Sequence, residues 1–130
     1  TKGKAAAITP ANYDQHLELL RDCDLIIEAI AERMDWKKAL YDRIEPYVAP
    51  HAILASNTSG LSINGLAEVL PESMHARFCG VHFFNPPRYM HLAELIPCIK
   101  TDRQVLEGLE TFLVTTLGKG VVYAKDTPNF

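Results

Sequence analysis

The feature that most constrains the fold is an alternation between short apolar runs and stretches with helical periodicity. Residues 24–30 form a nearly continuous apolar run, typical of a strand buried on both faces of a parallel sheet, although a buried helical turn shares this pattern. Residues 34–48 then predict an amphipathic helix, and residues 53–56 a second strand. The apolar face predicted for that helix recurs at every fourth position: Trp36, Leu40, Ile44 and Val48.

The remaining chain continues this alternation. Further strands are predicted over 78–84, 92–96 and 120–124, with helices over 63–69 and from the N-cap candidates Thr101 and Asp102 to Gly118. Weaker patterns near the amino terminus favour a strand over 5–8 and a short helix over 13–21. Strands that alternate with helices in this way predict an α/β fold with a largely parallel sheet and flanking helices.

Composition narrows the classes of function. The chain has 130 residues, 48% of them hydrophobic, which is enough for one domain with a sizeable core. A formal net charge of −3 provides no basic field for nucleic acid or an anionic membrane, and no apolar stretch approaches the roughly 18 residues of a membrane-spanning helix. The three cysteines are widely spaced without a CxxC pair, which argues against a disulfide framework or a metal site and favours a reducing cytoplasm.

Candidate functional residues follow the predicted strand ends, because open parallel sheets bind ligands at the carboxyl ends of their strands. Four places stand out: residues 32–37, residues 56–59, residues 82–85 and Glu94. A histidine with a carboxylate partner is the usual general base, since imidazole titrates near neutral pH and the carboxylate fixes its tautomer. His82 and Glu94 can form such a pair. The alternative is a satisfied core histidine and a surface glutamate.

Each of the other candidates also has a structural alternative. Ser59 can donate to a ligand or cap the helix that follows, and Asn85 can line a site or occupy a turn before two prolines. Lys37 can bind phosphate or ribose oxygens, whereas a lysine on a helix face is commonly solvated. Three aromatic side chains suit a core or pocket wall better than a platform for nucleic-acid bases, because the chain is acidic: Trp36, Phe83 and Phe84.

Together these segments resemble the 3-hydroxyacyl-CoA dehydrogenase family over roughly residues 20–130. The matching segments are residues 27–32, the Ser-Asn-Thr-Ser run at 56–59, the His-Phe-Phe-Asn-Pro run at 82–86, Glu94, and Leu-Gly-Lys at 117–119. Residues 85–90 are similar to bacterial, often multifunctional, members that also carry an enoyl-CoA hydratase module. The resemblance implies a partial Rossmann-type, doubly wound sheet. It also implies oxidation of 3-hydroxyacyl-CoA to 3-oxoacyl-CoA with NAD in fatty-acid β-oxidation.

The same resemblance implies a role for each candidate. His82 matches the catalytic base that removes the 3-hydroxyl proton while the C3 hydride passes to nicotinamide C4, and Glu94 matches its carboxylate partner. Ser59 and Asn85 match residues that line the substrate oxygen and the nicotinamide. The cofactor-contacting positions fall on these two and on four more residues: Ala29, Ile30, Glu32 and Lys37. The implied partners are an acyl-CoA substrate and, in the full-length parent, a second copy in a homodimer.

Two features depart from the family pattern. None of the seven glycines falls in the GxGxxG spacing, the turn that holds the pyrophosphate of a dinucleotide at a helix N-terminus. The helical carboxy-terminal domain is also absent, and Asn129 stands where the family commonly has glycine. We therefore expect residues 1–130 to be the carboxy-terminal portion of the NAD-binding domain of a longer polypeptide. The alternative is a non-catalytic acyl-CoA-binding or assembly segment, inactive alone because it lacks the GxGxxG turn.

Overall fold

In the computed structural model, which describes residues 6–126, five strands form one mixed sheet with helices on both faces. The strand order across the sheet is the same as the order along the chain. The strands are β1 (Leu25–Glu28), β2 (Ile53–Ser56), β3 (Phe78–Phe83), β4 (Leu92–Pro97) and β5 (Gly120–Tyr123). The strands predicted from residue 24 onward are therefore confirmed, with their ends displaced by at most two residues.

The largely parallel character of the sheet is also confirmed. β1 pairs with β2, β2 with β3 and β4 with β5 in parallel, while β3 and β4 are antiparallel. This antiparallel step arises because residues 84–91 connect β3 directly to β4, without a helix that would return the chain to the starting edge. The register of this pair places His82 opposite Glu94.

Helices connect the parallel strands, and two of them begin at a residue whose side chain caps the helix. The described α-helices are α1 (Met34–Ile44), α2 (Ile63–Val69) and α3 (Arg103–Thr111). Ser62 caps α2 by accepting from the backbone amide of Gly65, and Asp102 caps α3 by accepting from that of Gln104. Short 3-10 segments lie at Leu17–Asp22, Glu45–Tyr47 and Glu72–Arg77, and a π-helical turn at Phe112–Thr116 continues α3.

Side chains from both faces of the sheet are covered, which confirms the doubly wound arrangement. On one face α1 and α2 pack on the sheet, with Tyr41 and Leu66 in the same hydrophobic cluster as Leu54. On the other face α3 and its continuation contribute Leu109 and Leu113, which pack with alternate strand residues: Ala55, Cys79, Val81 and Leu95. Among residues 6–126, no helix combines the length and apolar character needed to cross a membrane.

Four details of the prediction need correction. Trp36 is 51% exposed, so the predicted apolar face of α1 is rotated: Ile44 is buried as predicted, but Lys37 and Tyr41 are the other buried residues. The helix ends at Ile44 because Pro46 has no backbone N–H to donate within it, and a 3-10 turn follows.

Near the amino terminus, residues 6–8 are a turn followed by irregular chain, so the predicted strand is wrong there, and Ala5 lies outside the described residues. The helix predicted over 13–21 is the shorter 3-10 segment at Leu17–Asp22. Asn129 also lies outside the described residues.

Candidate active site

The loops that leave β1, β2 and β3 meet at one edge of the sheet, because parallel strands share the edge at which they end. Asn57 joins them. Its backbone amide donates to the carbonyl of Glu28 at 2.8 Å, and its side-chain Oδ1 accepts from the amide of Phe83 at 3.2 Å. β4 starts at this same edge because it runs antiparallel to β3. Residues from four strands therefore lie at one edge of the sheet.

His82 and Glu94 face each other across this edge. Their pairing in the β3–β4 register leaves His82 Nδ1 3.5 Å from Glu94 Oε1, although twelve positions separate them in sequence. This distance exceeds the 2.7–3.2 Å of most N–H···O bonds, but apo catalytic pairs are often long and shorten when substrate binds. The side chains are 16% and 13% exposed, respectively. The ring of Phe84 stands edge-on to the imidazole, with centroids 4.8 Å apart.

A second cluster of charges is buried where β1 ends. The Glu28 carboxylate accepts four hydrogen bonds from described residues: Lys37 Nζ at 2.5 Å, Tyr41 OH at 2.6 Å, Ser56 Oγ at 2.8 Å and the Ile30 amide at 2.9 Å. The side chains of Glu28 and Lys37 are almost fully enclosed. Burial, reinforced by the neighbouring carboxylate, raises the pKa of Tyr41, so its hydroxyl stays a donor. Hydrogen bonds from the Ile30 amide to Glu28 and from Lys37 to the Ile30 carbonyl hold the loop after β1 against this cluster.

Glu32 lies above that cluster and reaches solvent. Its Oε2 accepts from Thr58 Oγ1 at 2.6 Å and from the Gly60 amide at 3.1 Å, and its Oε1 is 3.6 Å from Lys37 Nζ. Burial alone would raise the pKa of Glu32. The hydrogen bonds from Thr58 and Gly60 and the charge of Lys37 together outweigh burial and lower it. Glu32 is thus an ionised, 43% exposed acceptor held between the loops after β1 and β2.

The structure places the predicted site residues in two groups on this edge. His82 and Glu94 form one group, and Phe84 and the exposed Asn85 follow at the end of the same strand. The second group is built around the loop after β1: Ala29, Ile30, Glu32 and Lys37. Ser59 is exposed in the next loop, and the interpretation of Ser59 as a helix cap is wrong because Ser62 caps α2. Lys37 is enclosed, so the solvated alternative is wrong for it.

Glu28 and Tyr41 are not among the predicted site residues, and Ser56 and Asn57 are predicted only as part of the 56–59 segment, without a role of their own. A signal for the first two existed. Glu28 is an acidic residue within an apolar strand, which requires a partner, and Lys37, Tyr41 and Ile44 recur at helical spacing on one face of α1. For Asn57 nothing in the local pattern distinguishes a residue that bridges two loops from an ordinary turn residue.

Comparisons with known proteins relate nearly the whole chain to one family. Residues 1–127 match the family model described as 3-hydroxyacyl-CoA dehydrogenase, NAD binding domain. A protein of Rickettsia felis named as a trifunctional enzyme of a fatty acid oxidation complex is 49% identical over 98% of this chain and 18% of its own length. A protein of Deinococcus radiodurans named as a 3-hydroxyacyl-CoA dehydrogenase is 45% identical, over 98% of this chain and 37% of its own length.

A solved structure shares both the fold and the sequence pattern. The crystal structure of (S)-3-hydroxybutyryl-CoA dehydrogenase from Ralstonia eutropha superposes with a TM-score of 0.85 at 36% identity, covering 99% of this chain and 44% of the crystallised one. The chain thus spans less than half the length of each of these three relatives. The match to the family model extends over nearly all of the sequence, so the chain belongs to the 3-hydroxyacyl-CoA dehydrogenase family, in the part described as its NAD-binding domain.

Proposed function

We propose that this chain supplies the general base and part of the cofactor site of an enzyme that oxidises 3-hydroxyacyl-CoA to 3-oxoacyl-CoA with NAD, in the β-oxidation of fatty acids. The observation that carries the proposal is the His82–Glu94 pair, which lies in register across β3 and β4 at the edge where three loops converge. In this proposal the glycine-rich turn and a helical substrate-closing domain belong to other parts of the same polypeptide.

His82 has the position and the chemistry of a general base. Oxidation of an alcohol requires a group that takes the hydroxyl proton, and an imidazole does this near neutral pH. Nδ1 faces the Glu94 carboxylate, so we assign proton uptake to Nε2. Glu94 then stabilises the imidazolium that forms and keeps the ring in one orientation, as the carboxylate does in a catalytic triad.

The described residues fit the ribose end of NAD. Glu32 is ionised and partly exposed, so its carboxylate can accept hydrogen bonds from sugar hydroxyls. The charge of the enclosed Lys37, 3.6 Å away, helps to orient this carboxylate. Ala29 and Ile30 lie in the same loop after β1 and would line the cofactor there. When bound, NAD supplies the acceptor for the electron pair of the substrate C3–H bond. Because the seven glycines never occur in GxGxxG spacing, the pyrophosphate is the part for which these residues make no cradle.

Ser59 and Asn85 complete the proposed site as orienting residues. Both are exposed and follow the carboxyl ends of β2 and β3, so their side chains are available to a substrate oxygen or a carboxamide. The remaining elements of the proposal rest on the family resemblance, the spacing of the three cysteines and the net charge of −3. The partners are an acyl-CoA substrate and a second copy of the full-length protein, the location is the cytoplasm, and neither nucleic acid nor membrane takes part.

The proposal is tested by following NADH formation from 3-hydroxybutyryl-CoA in the full-length protein and in its Glu94→Gln variant. A hydrogen bond to a charged group contributes about 1.5–3 kcal/mol, and each 1.4 kcal/mol of barrier is a factor of about ten. We therefore expect kcat to fall about 10- to 100-fold. Glu107→Gln makes the same change on the exposed face of α3 and should leave kcat unaltered. No NADH from any 3-hydroxyacyl-CoA would reject the proposed activity.

A further inference from the structure

Lys119, in the Leu-Gly-Lys run, has a specific structural task. Its ammonium group donates hydrogen bonds to the backbone carbonyls of Pro87 and, at 2.7 Å, of Met90. Both carbonyls belong to the loop of residues 84–91, which connects β3 to β4. A lysine ammonium provides charged donors, so these bonds are stronger than neutral ones. Lys119 therefore ties this loop to the start of β5.

The backbone around Lys119 is built to direct the side chain there. Gly118 has a φ of +68°, a left-handed conformation that glycine adopts readily, and it reverses the chain after the π-helical turn. The amide of Lys119 then donates to the carbonyl of Leu113 at 2.9 Å, and Gly120 donates to His91 at 3.0 Å. A Cβ on Gly120 would lie 2.9 Å from the ring of the exposed His91, so a larger residue there would displace that imidazole.

The loop held by Lys119 has the two proposed active-site residues at its ends. It begins with Phe84, which packs on the His82 ring, and continues through Asn85. It ends at β4, two residues before Glu94. Residues 85–92 are all exposed, so core packing contributes little to fixing the loop. Without Lys119 the loop would be held by hydrogen bonds within it and by its attachment to β3 and β4. The two bonds from Lys119 therefore add a restraint at its middle.

We propose that Lys119 is a positioning residue for the oxidation of 3-hydroxyacyl-CoA, an inference that rests on the proposed function. By holding the carbonyls of Pro87 and Met90, it keeps the start of the loop in place. Phe84 then stays against the imidazole of His82, and Asn85, the next residue, keeps its place in the loop. The effect is on orientation, since Lys119 touches neither the base nor its carboxylate partner in the structure.

Lys119→Met in the full-length protein tests this role, because methionine keeps most of the length and loses every donor. Misplacement of a catalytic group by about 1 Å can cost about 100-fold in rate, so we expect kcat to fall about 10- to 100-fold. The Kd for NAD should change much less than kcat, because Asn85 is the one proposed cofactor contact on this loop, whereas Glu32 and Lys37 are held by contacts outside it. Under native conditions trypsin should also cut after the exposed Arg88 several-fold faster, with the product identified by mass spectrometry.

Two further variants make the test specific. Lys119→Arg keeps charged donors and should recover most of kcat and of the resistance to trypsin. Lys125→Met removes an exposed lysine just beyond β5 and should resemble the parent in both measurements. A Lys119→Met protein cut at Arg88 at the parental rate would overturn the proposal, as would faster cutting with an unchanged kcat. Absence of turnover in the parent would instead reject the proposed function, and the positioning role with it.

Discussion

The two edges of the sheet each hold a histidine–carboxylate pair, and the pairs differ in an instructive way. At the edge where β1 and β2 begin, His51 Nε2 lies 2.9 Å from Asp24 Oδ1, within ordinary hydrogen-bond distance. At the opposite edge the His82–Glu94 distance is 3.5 Å. Distance alone would select the first pair. Yet His51 and Asp24 are 64% and 90% exposed, whereas His82 and Glu94 are 16% and 13% exposed.

The two ends of β1 repeat this contrast. Asp24 precedes the strand and meets solvent, while Glu28 ends it and accepts four hydrogen bonds in a closed pocket. Water screens an exposed ion pair and competes for its hydrogen bonds, so such pairs contribute little to stability or chemistry. Enclosure makes the same groups interact strongly. At the edge where β1, β2 and β3 end, the converging loops provide this enclosure. The degree of enclosure therefore separates the His82–Glu94 pair from the exposed His51–Asp24 contact.

The largest expected effect separates the two histidines. His82→Ala in the full-length protein should lower kcat about 100- to 10,000-fold, the usual contribution of a general base, with little change in the Kd for NAD. His51→Ala removes the imidazole that lies closer to its carboxylate but is exposed, and should leave kcat at the parental value. NADH formation measured for both variants checks this contrast. Equal losses in the two variants would show that enclosure does not identify the base.

The second effect is on stability and separates the two carboxylates of β1. Glu28→Gln leaves the enclosed Lys37 ammonium without its nearest counter-charge, so we expect the free energy of unfolding to fall by about 3–5 kcal/mol. Asp24→Asn breaks an exposed contact and should be indistinguishable from the parent. Urea denaturation of the full-length protein and both variants gives these values. A mild effect of Glu28→Gln would mean that Lys37 reaches solvent or another partner.

The sequence predicted the strands well and the enclosed charges poorly, for a physical reason. Apolar runs such as 53–56 are local, and their burial follows from composition alone. Whether His82 meets Glu94 depends on the register of an antiparallel pair, which the intervening residues do not reveal. Trp36 and Lys37 show the same limit: the larger apolar side chain is exposed and the lysine is buried, because Glu28 determines which face of α1 turns inward.

The smallest expected effect concerns Glu32, which lies between the two extremes of exposure. Its pKa in the folded chain is below the ordinary value of 4.5, because bonds from Thr58 and Gly60 and the charge of Lys37 outweigh the opposite effect of burial. A lowered carboxylate pKa stabilises the fold above pH 4.5, and that contribution disappears as the pH falls through the folded-state pKa. Glu32→Gln should therefore lower the Tm at pH 7, and the difference in Tm from the parent should shrink below pH 4.5.

Two variants of Thr58, which donates to Glu32, provide the control. Thr58→Ser keeps the hydroxyl donor and should retain the parental pH dependence of the Tm, whereas Thr58→Ala should weaken it. A Tm difference between the parent and Glu32→Gln that is constant across this range would place Glu32 with the exposed carboxylates of the opposite edge.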